Sequence, residues 1–403
     1  MLRRLSLLIF TSMIWSLCNS LTLAETKKPE QMDKFPPSPL EITTPDPLLP
    51  ELLNERQLTL PELRQLETAL DELNQKATIS LQAGDKETAF NTWNRELRLR
   101  RFLGTLAEVE ALGRVGEIAW NENERQQVKY ITDRLKVIQT QMQKEKNTDL
   151  ELWRSLGAAY QQIRYPQLAI TTYTEILALV RQQKDASAEL NTLQTIAELH
   201  FSWFDYGQAA KTYQEILNLV PNDNQVTYLQ KLAYIYDQDK KHQQSIGILQ
   251  QLVEIYSNEN NLTQIPGLKI AIASHYQTLA KENPDLLQNA FDTYQEAYAT
   301  AWQLQQYARA SEALEKLIAL YRSQKQLDAA LETSQILVET QSLAANFYGL
   351  MQAYDQIGQM HLERQEYPQA LTAFQQGLEL AQKLKHQESY FTQQIAELAK
   401  SNN

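Results

Sequence analysis

Cysteine is nearly missing from this sequence: Cys18 is the only one in 403 residues. No intrachain disulfide can form, so a fold must rest on buried contacts. Glycine is scarce at 11 residues. No sustained two-residue alternation ends in a hairpin turn signal, which argues against strands. The five histidines have no His-x3-His spacing and no cysteine spacing beside them, so a zinc site is not expected. His200 and His361 fall at helix positions that predict packing roles, His242 sits in an inter-helix turn and His386 lies near the end. A glycine-rich phosphate loop and a Gly-x-Ser-x-Gly turn are both absent. Paired carboxylates abound, but Glu- and Gln-rich helix surfaces supply these by default. Neither an enzyme nor a bound cofactor is therefore expected. Excess positive charge is lacking too: the formal net charge is −11, a field that disfavours nucleic-acid partners.

What the sequence has instead is a repeat. The stretch "LWRSLGAAYQQIRYPQLAITTY" reads Trp153-x2-Leu156-Gly157-x2-Tyr160, then Ala169-x3-Tyr173. Small residues return in register at Gly116, Gly157, Ala197, Ala233, Ala273 and Gly358. Most are followed by a second small side chain (Ala169, Ala209, Ser245, Ala370), then by a bulky one (Tyr173, Tyr213, Leu249, Phe374). A helical period places Leu156, Tyr160 and Ile163 on one stripe and Ala169, Tyr173, Ile176 and Val180 on another. Pro166 and Pro368 stand where a helix's first turn is expected. Two antiparallel helices can approach closely at the small residues, with aromatics filling the wedge beside them. Each pair leaves an apolar side that a neighbour must cover.

This spacing resembles the tetratricopeptide repeat. The resemblance covers roughly residues 70–400 and is closest over 150–183, 190–223 and 351–384. The unit near 266–304 carries extra residues around "AKENPD", the unit at 311–344 has Ile318 at a small position, and the units near 70–103 and 109–142 are the most degenerate. Steps of about 40 residues, against about 34 in the usual unit, predict longer helices or longer turns. The expected fold is all-α: an α-solenoid of about eight antiparallel helix pairs. It comprises degenerate repeats over 62–145, a regular array over 146–385 and a capping helix with tail over 386–403.

Residues 1–24 begin with Arg3 and Arg4, continue through an apolar stretch from Leu5 to Leu17 and close on Ala24. That is the layout of a secretory signal peptide, the alternative being an uncleaved membrane anchor. Export to a periplasm or thylakoid lumen is the expectation. Cleavage would also remove Cys18. Residues 25–61 hold eight of the 13 prolines and read as an extended linker, either a spacer or a docking peptide. The basic island "RELRLRR" carries Arg95, Arg98, Arg100 and Arg101 late in a helix. There they complement the helix dipole and can pair with the acids of "LAEVEAL". The alternative is an anionic partner or lipid headgroups in a peripheral membrane contact.

In the tetratricopeptide family the first helix of each unit lines a concave groove, so the resemblance implies a protein or peptide segment bound there. The implied groove residues are Glu110, Glu117 and Trp120, then Glu151, Arg154 and Gln161, then Gln194, Glu198 and Phe201. They continue with Gln230, Tyr234 and Asp237, then Glu312 and Glu315, and finally Asp355 and Gln359. The family's lysine–asparagine carboxylate clamp is absent: its places hold Arg154 with Ala158, Gln194 with Glu198, and Gln230 with Tyr234. An acidic, amide-rich groove with interspersed aromatics suits an extended or helical segment carrying Lys, Arg or amide groups. The leader and "RELRLRRFLGTLAEVEALGRVGEIAW" also resemble exported repeat proteins of cyanobacteria. That resemblance implies a scaffold for assembly or maintenance of a photosynthetic membrane complex. The alternative is delivery of a hard divalent cation by groove carboxylates such as Glu110, Glu117 and Glu198.

Overall fold

The computed structural model describes residues 37–50, 57–221 and 224–401. The expected leader at 1–24 with Cys18, parts of the proline-rich stretch 25–61 and the last two residues of the tail lie outside the described residues. Among the described residues there are 17 α-helices and no strand. In chain order they are α1 (Leu60–Gln82) and α2 (Lys86–Arg100), α3 (Thr105–Asn121) and α4 (Arg125–Lys144), α5 (Leu150–Gln162) and α6 (Pro166–Gln183). There follow α7 (Ala186–Ser202) and α8 (Tyr206–Leu219), α9 (Val226–Gln238) and α10 (His242–Asn258), α11 (Ile265–Leu279) and α12 (Leu287–Gln303). The series ends with α13 (Tyr307–Ser323) and α14 (Leu327–Leu343), α15 (Phe347–Glu363) and α16 (Tyr367–Leu384), and a single α17 (Glu388–Ser401). Eight pairs and a terminal helix result, as the repeat register predicts. The chain divides into two compact units, Met1–Ala169 and Ile170–Asn403.

The turns explain how a glycine-poor chain can reverse direction so often. A helix often ends on a residue in the left-handed region, where glycine is usual. Here that place is taken by Asn123, Arg164, Lys184, Phe204, Lys240, Lys325, Ala345 and Gln365, with φ between 52° and 62°. Aspartate or asparagine often comes next and caps the following helix. Asp185 accepts from the Ala188 backbone N–H, Asp205 from Gln208 and Asn346 from Gly349. The extra residues around "AKENPD" form a longer connection closed by a one-turn 3-10 helix at Pro284–Leu286.

In the first unit, the basic island does two jobs. Arg101 and Arg134 both reach Glu108, at 2.9 Å and 2.6 Å, which matches the expected pairing with "LAEVEAL". The other arginines hold part of the stretch read as a linker. Arg95 grips Asp46 with two bonds of 2.7 Å and 2.8 Å. Its guanidinium is the main reason the Asp46 carboxyl is held below its ordinary pKa. Arg98 donates to the Pro39 carbonyl and Arg101 to the Leu40 carbonyl, each at 2.8 Å. Leu40 is buried beneath them. Prolines lack N–H groups but keep carbonyls, so an arginine-studded helix surface supplies the donors that such a segment needs.

In the second unit, small residues mark where helices meet, as expected. A Cβ on Gly358 of α15 would stand 2.6 Å from the Phe374 ring of α16. On α16, Gly377 leaves space for the Phe391 ring of the terminal helix. Phe391 and Leu398 of α17 join Met351, Ala370 and Phe374 in one buried cluster. The remaining surface of α17 is mostly exposed, so the helix covers the end of the array with its polar side outward.

Candidate functional site

The first helices α7, α9 and α11 of the second unit adjoin along one face, and most of the implied groove residues with mutual contacts lie there. Glu198 and Phe201 are three residues apart on α7, while Gln230, Tyr234 and Asp237 recur at four and three on α9. Each set therefore shares a helix face. Phe201 and Tyr234 meet across the two helices with ring centroids 5.9 Å apart. Lys231 of α9 lies 3.3 Å from the Glu198 carboxylate and 4.3 Å from the Phe201 ring centre. The Tyr213 hydroxyl donates to the same Glu198 oxygen at 2.5 Å. Burial pushes the Tyr213 phenol's pKa up, and the bond to Glu198 adds to the effect. Glu198 is thus balanced by a cation and a hydroxyl.

Glutamines on this face have an internal job. Gln194 donates to the Tyr228 hydroxyl at 2.5 Å and Gln230 to Tyr256 at 2.9 Å. Away from this face, Gln295 of α12 does the same to Tyr321 at 3.2 Å and Gln359 of α15 to Tyr390 at 3.1 Å. An amide on one helix repeatedly holds a tyrosine on a later one. Gln194, Gln230 and Gln359, read as groove residues, are therefore cross-ties between helices.

Beside Tyr234 a cavity of about 370 Å³ opens between α9, α10 and α11. Gln230, Tyr234 and Asp237 stand on its polar side, and Leu249, Leu252 and Leu268 line its apolar side. Asp237 faces two histidines there. His275 of α11 is buried, and its Nε2 lies 3.9 Å from the Asp237 carboxylate. The Nδ1 atoms of His242 and His275 are 3.0 Å apart. Burial lowers the His275 pKa, against the pull of Asp237. Among the described residues, these three are the group of ligating side chains whose donor atoms converge, all within 4.8 Å of one another. Spacing rules pass over this group because its members sit at 237, 242 and 275 on three different helices.

On the other flank the face carries an aromatic edge that motif reasoning also missed. Phe201 stacks towards Tyr206 at 6.0 Å, and Tyr206 meets Phe204 at 6.1 Å. Phe204 is 75% exposed, Trp203 47% and Tyr234 51%. The visible signal is "HFSWFDYG", where two bulky aromatics occupy a turn that polar residues or glycine would ordinarily fill.

The remaining implied residues are placed as follows. Glu312 on α13 pairs with Arg309 at 2.6 Å, and Glu315 accepts from Gln341 at 2.9 Å. Asp355 on α15 accepts from the Tyr390 hydroxyl at 2.8 Å. In the first unit Glu110, Glu117 and Trp120 lie exposed on α3, Glu151 and Arg154 lie exposed on α5, and Gln161 is half-buried. Of the carboxylates considered for a hard cation, Glu110 and Glu117 belong to α3, whereas Glu198 belongs to α7 and is already tied to Lys231 and Tyr213.

No protein-family model matches the sequence. No curated protein matches it either. Solved structures with a similar course include a MamA protein, 22% identical, with a TM-score of 0.35 and 48% of this chain covered against 92% of that one. The apo form of RapI is 15% identical, with a TM-score of 0.41 and coverage of 68% and 77%. The C-terminal part of a TPR repeat-containing protein from Cytophaga hutchinsonii is 11% identical, with a TM-score of 0.39 and coverage of 66% and 95%. The class itself is defined by the chain's own helices: an all-α array of tetratricopeptide-like helix pairs closed by a terminal helix.

Proposed function

We propose that this chain is a non-enzymatic scaffold that binds a protein segment on the α7–α9–α11 face of its second unit. The observation that carries this reading is Phe204. A bulky residue at φ 62° is held in a region that disfavours side chains, and its ring is three-quarters exposed. The left-handed backbone serves the turn, as it does where asparagine, arginine, lysine, alanine or glutamine fills the same place. The turn does not need an exposed ring, however, and such a ring next to Trp203 and against Tyr206 is the kind of anchor that interfaces use. The exposed Asp237 carboxylate suits a segment with a Lys, Arg or amide side chain alongside an apolar residue. The signal-peptide layout of residues 1–24 supports a location outside the cytoplasm for this scaffold. The resemblance to exported cyanobacterial repeat proteins supports a role in assembling or maintaining a photosynthetic membrane complex.

Phe204→Gly separates binding from folding. Glycine relieves the left-handed strain, so stability should rise or hold, by roughly 0–1 kcal/mol. Partner capture from the native membrane fraction should fall at least tenfold. Denaturation midpoints and quantified capture are read on the same preparations. Undiminished capture would remove the aromatic edge from the account.

A further inference from the structure

We infer that Asp237, His242 and His275 form a binding site for a zinc-class divalent cation, with its open position facing the cavity between α9, α10 and α11. The proposal does not depend on the identity of any protein partner. Three helices bring the donors together: the end of α9, the start of α10 and the middle of α11. The two imidazole Nδ1 atoms face each other at 3.0 Å. Two nitrogens bound to one tetrahedral zinc at about 2.0–2.1 Å stand about 3.3 Å apart, so a small outward shift seats the ion between them.

The second observation is the support behind His275. Its Nε2 lies 3.0 Å from the Ser245 hydroxyl, which in turn lies 3.4 Å from the Ala233 carbonyl. A proton on Nε2 donated to Ser245, with the serine's own proton passed to Ala233, leaves Nδ1 unprotonated and aimed at His242. That is the arrangement that outer partners impose on ligating histidines. Ser245 is almost fully buried, so the orientation is fixed by the fold. Asp237 is exposed, with its carboxylate 3.9 Å from His275 Nε2 and within 4.8 Å of a donor on each histidine; a side-chain rotation brings it to the ion as the anionic third donor. Three protein ligands leave a fourth place for water or for a group entering the cavity. Two imidazoles and one carboxylate favour zinc, nickel or copper over calcium or magnesium.

The test uses the full-length chain carrying Cys18→Ser, which removes the lone thiol, titrated with ZnCl2 against a chromophoric chelator. One equivalent of zinc should bind per chain, and millimolar MgCl2 or CaCl2 should not displace it. Asp237→Asn and His242→Ala should each weaken binding at least tenfold while far-UV circular dichroism is unchanged. Ser245→Ala, which touches no ion, should weaken it by about 10-fold or more through loss of orientation. His361→Ala, at a separate His361–Glu366 pair 2.7 Å apart, should bind as the parent does. Absence of stoichiometric zinc, displacement by calcium or magnesium, or retention of binding in both Asp237→Asn and His242→Ala would overturn the proposal.

Discussion

Gly358→Leu is expected to lower the denaturation midpoint sharply, by the equivalent of about 2–3 kcal/mol. Even the first added carbon would stand 2.6–2.8 Å from three atoms of the Phe374 ring. That ring is fully buried among Met351, Ala370, Ala381 and Phe391, so it has little room to yield. Gly247 supplies the control, because it lies inside α10 with nothing within 4 Å of where a Cβ would sit. Alanine is a better helix former than glycine at both positions, by about 0.5–1 kcal/mol. Gly247→Ala should therefore raise the midpoint, while Gly358→Ala should lower it. Opposite signs isolate helix contact from helix propensity. Equal signs would mean that α15 and α16 do not meet at Gly358.

The second large effect is expected where Arg114 meets Glu96 in the first unit. Glu96 is fully buried, with Arg114 at 2.6 Å and Arg100 at 3.0 Å from the same carboxylate oxygen. Arg114 also reaches Asn74, which accepts from the Trp93 indole at 2.9 Å. The cluster thus ties α1, α2 and α3 together. Arg114→Met should cost about 3 kcal/mol, because it leaves a buried carboxylate with one cation fewer. Glu96→Leu combined with Arg114→Met should cost less than Arg114→Met alone, since no under-compensated charge is then buried. Urea midpoints of the two variants decide it. A double variant that is worse than the single would show that the pair contributes net stability rather than mutual compensation.

The fold was legible because its signal is local and repeats. Gly116, read as a helix-contact position, faces Ile163 and Ile131, and Gly358 faces Phe374. Pro166 opens α6 and Pro368 lies in the first turn of α16. Turn geometry was less legible, because lysine, glutamine, phenylalanine and alanine occupy left-handed positions where glycine is the usual marker. The site was legible only in outline. Family spacing reached Glu198, Phe201, Gln230, Tyr234 and Asp237, since their positions follow from helix register. It could not reveal that Gln194 and Gln230 are tied to tyrosines on later helices, nor that Lys231 neutralises Glu198. Contacts between residues 26 to 38 apart, such as Gln230 with Tyr256 or Asp237 with His275, depend on how helices stack. Composition likewise marked residues 37–50 as proline-rich, but only three-dimensional placement sets Asp46 on Arg95.

The central claim is that the α7–α9–α11 face, and not the outer helices, meets the partner. The most direct measurement places a photo-crosslinking amino acid singly at Phe204, Tyr234, Gln251 and Glu332 in the native host. The last two are exposed positions on α10 and α14. The account predicts a protein adduct of one discrete mass from Phe204 and Tyr234, and none from Gln251 or Glu332. Adducts from Gln251 or Glu332 with none from Phe204 and Tyr234 would contradict it.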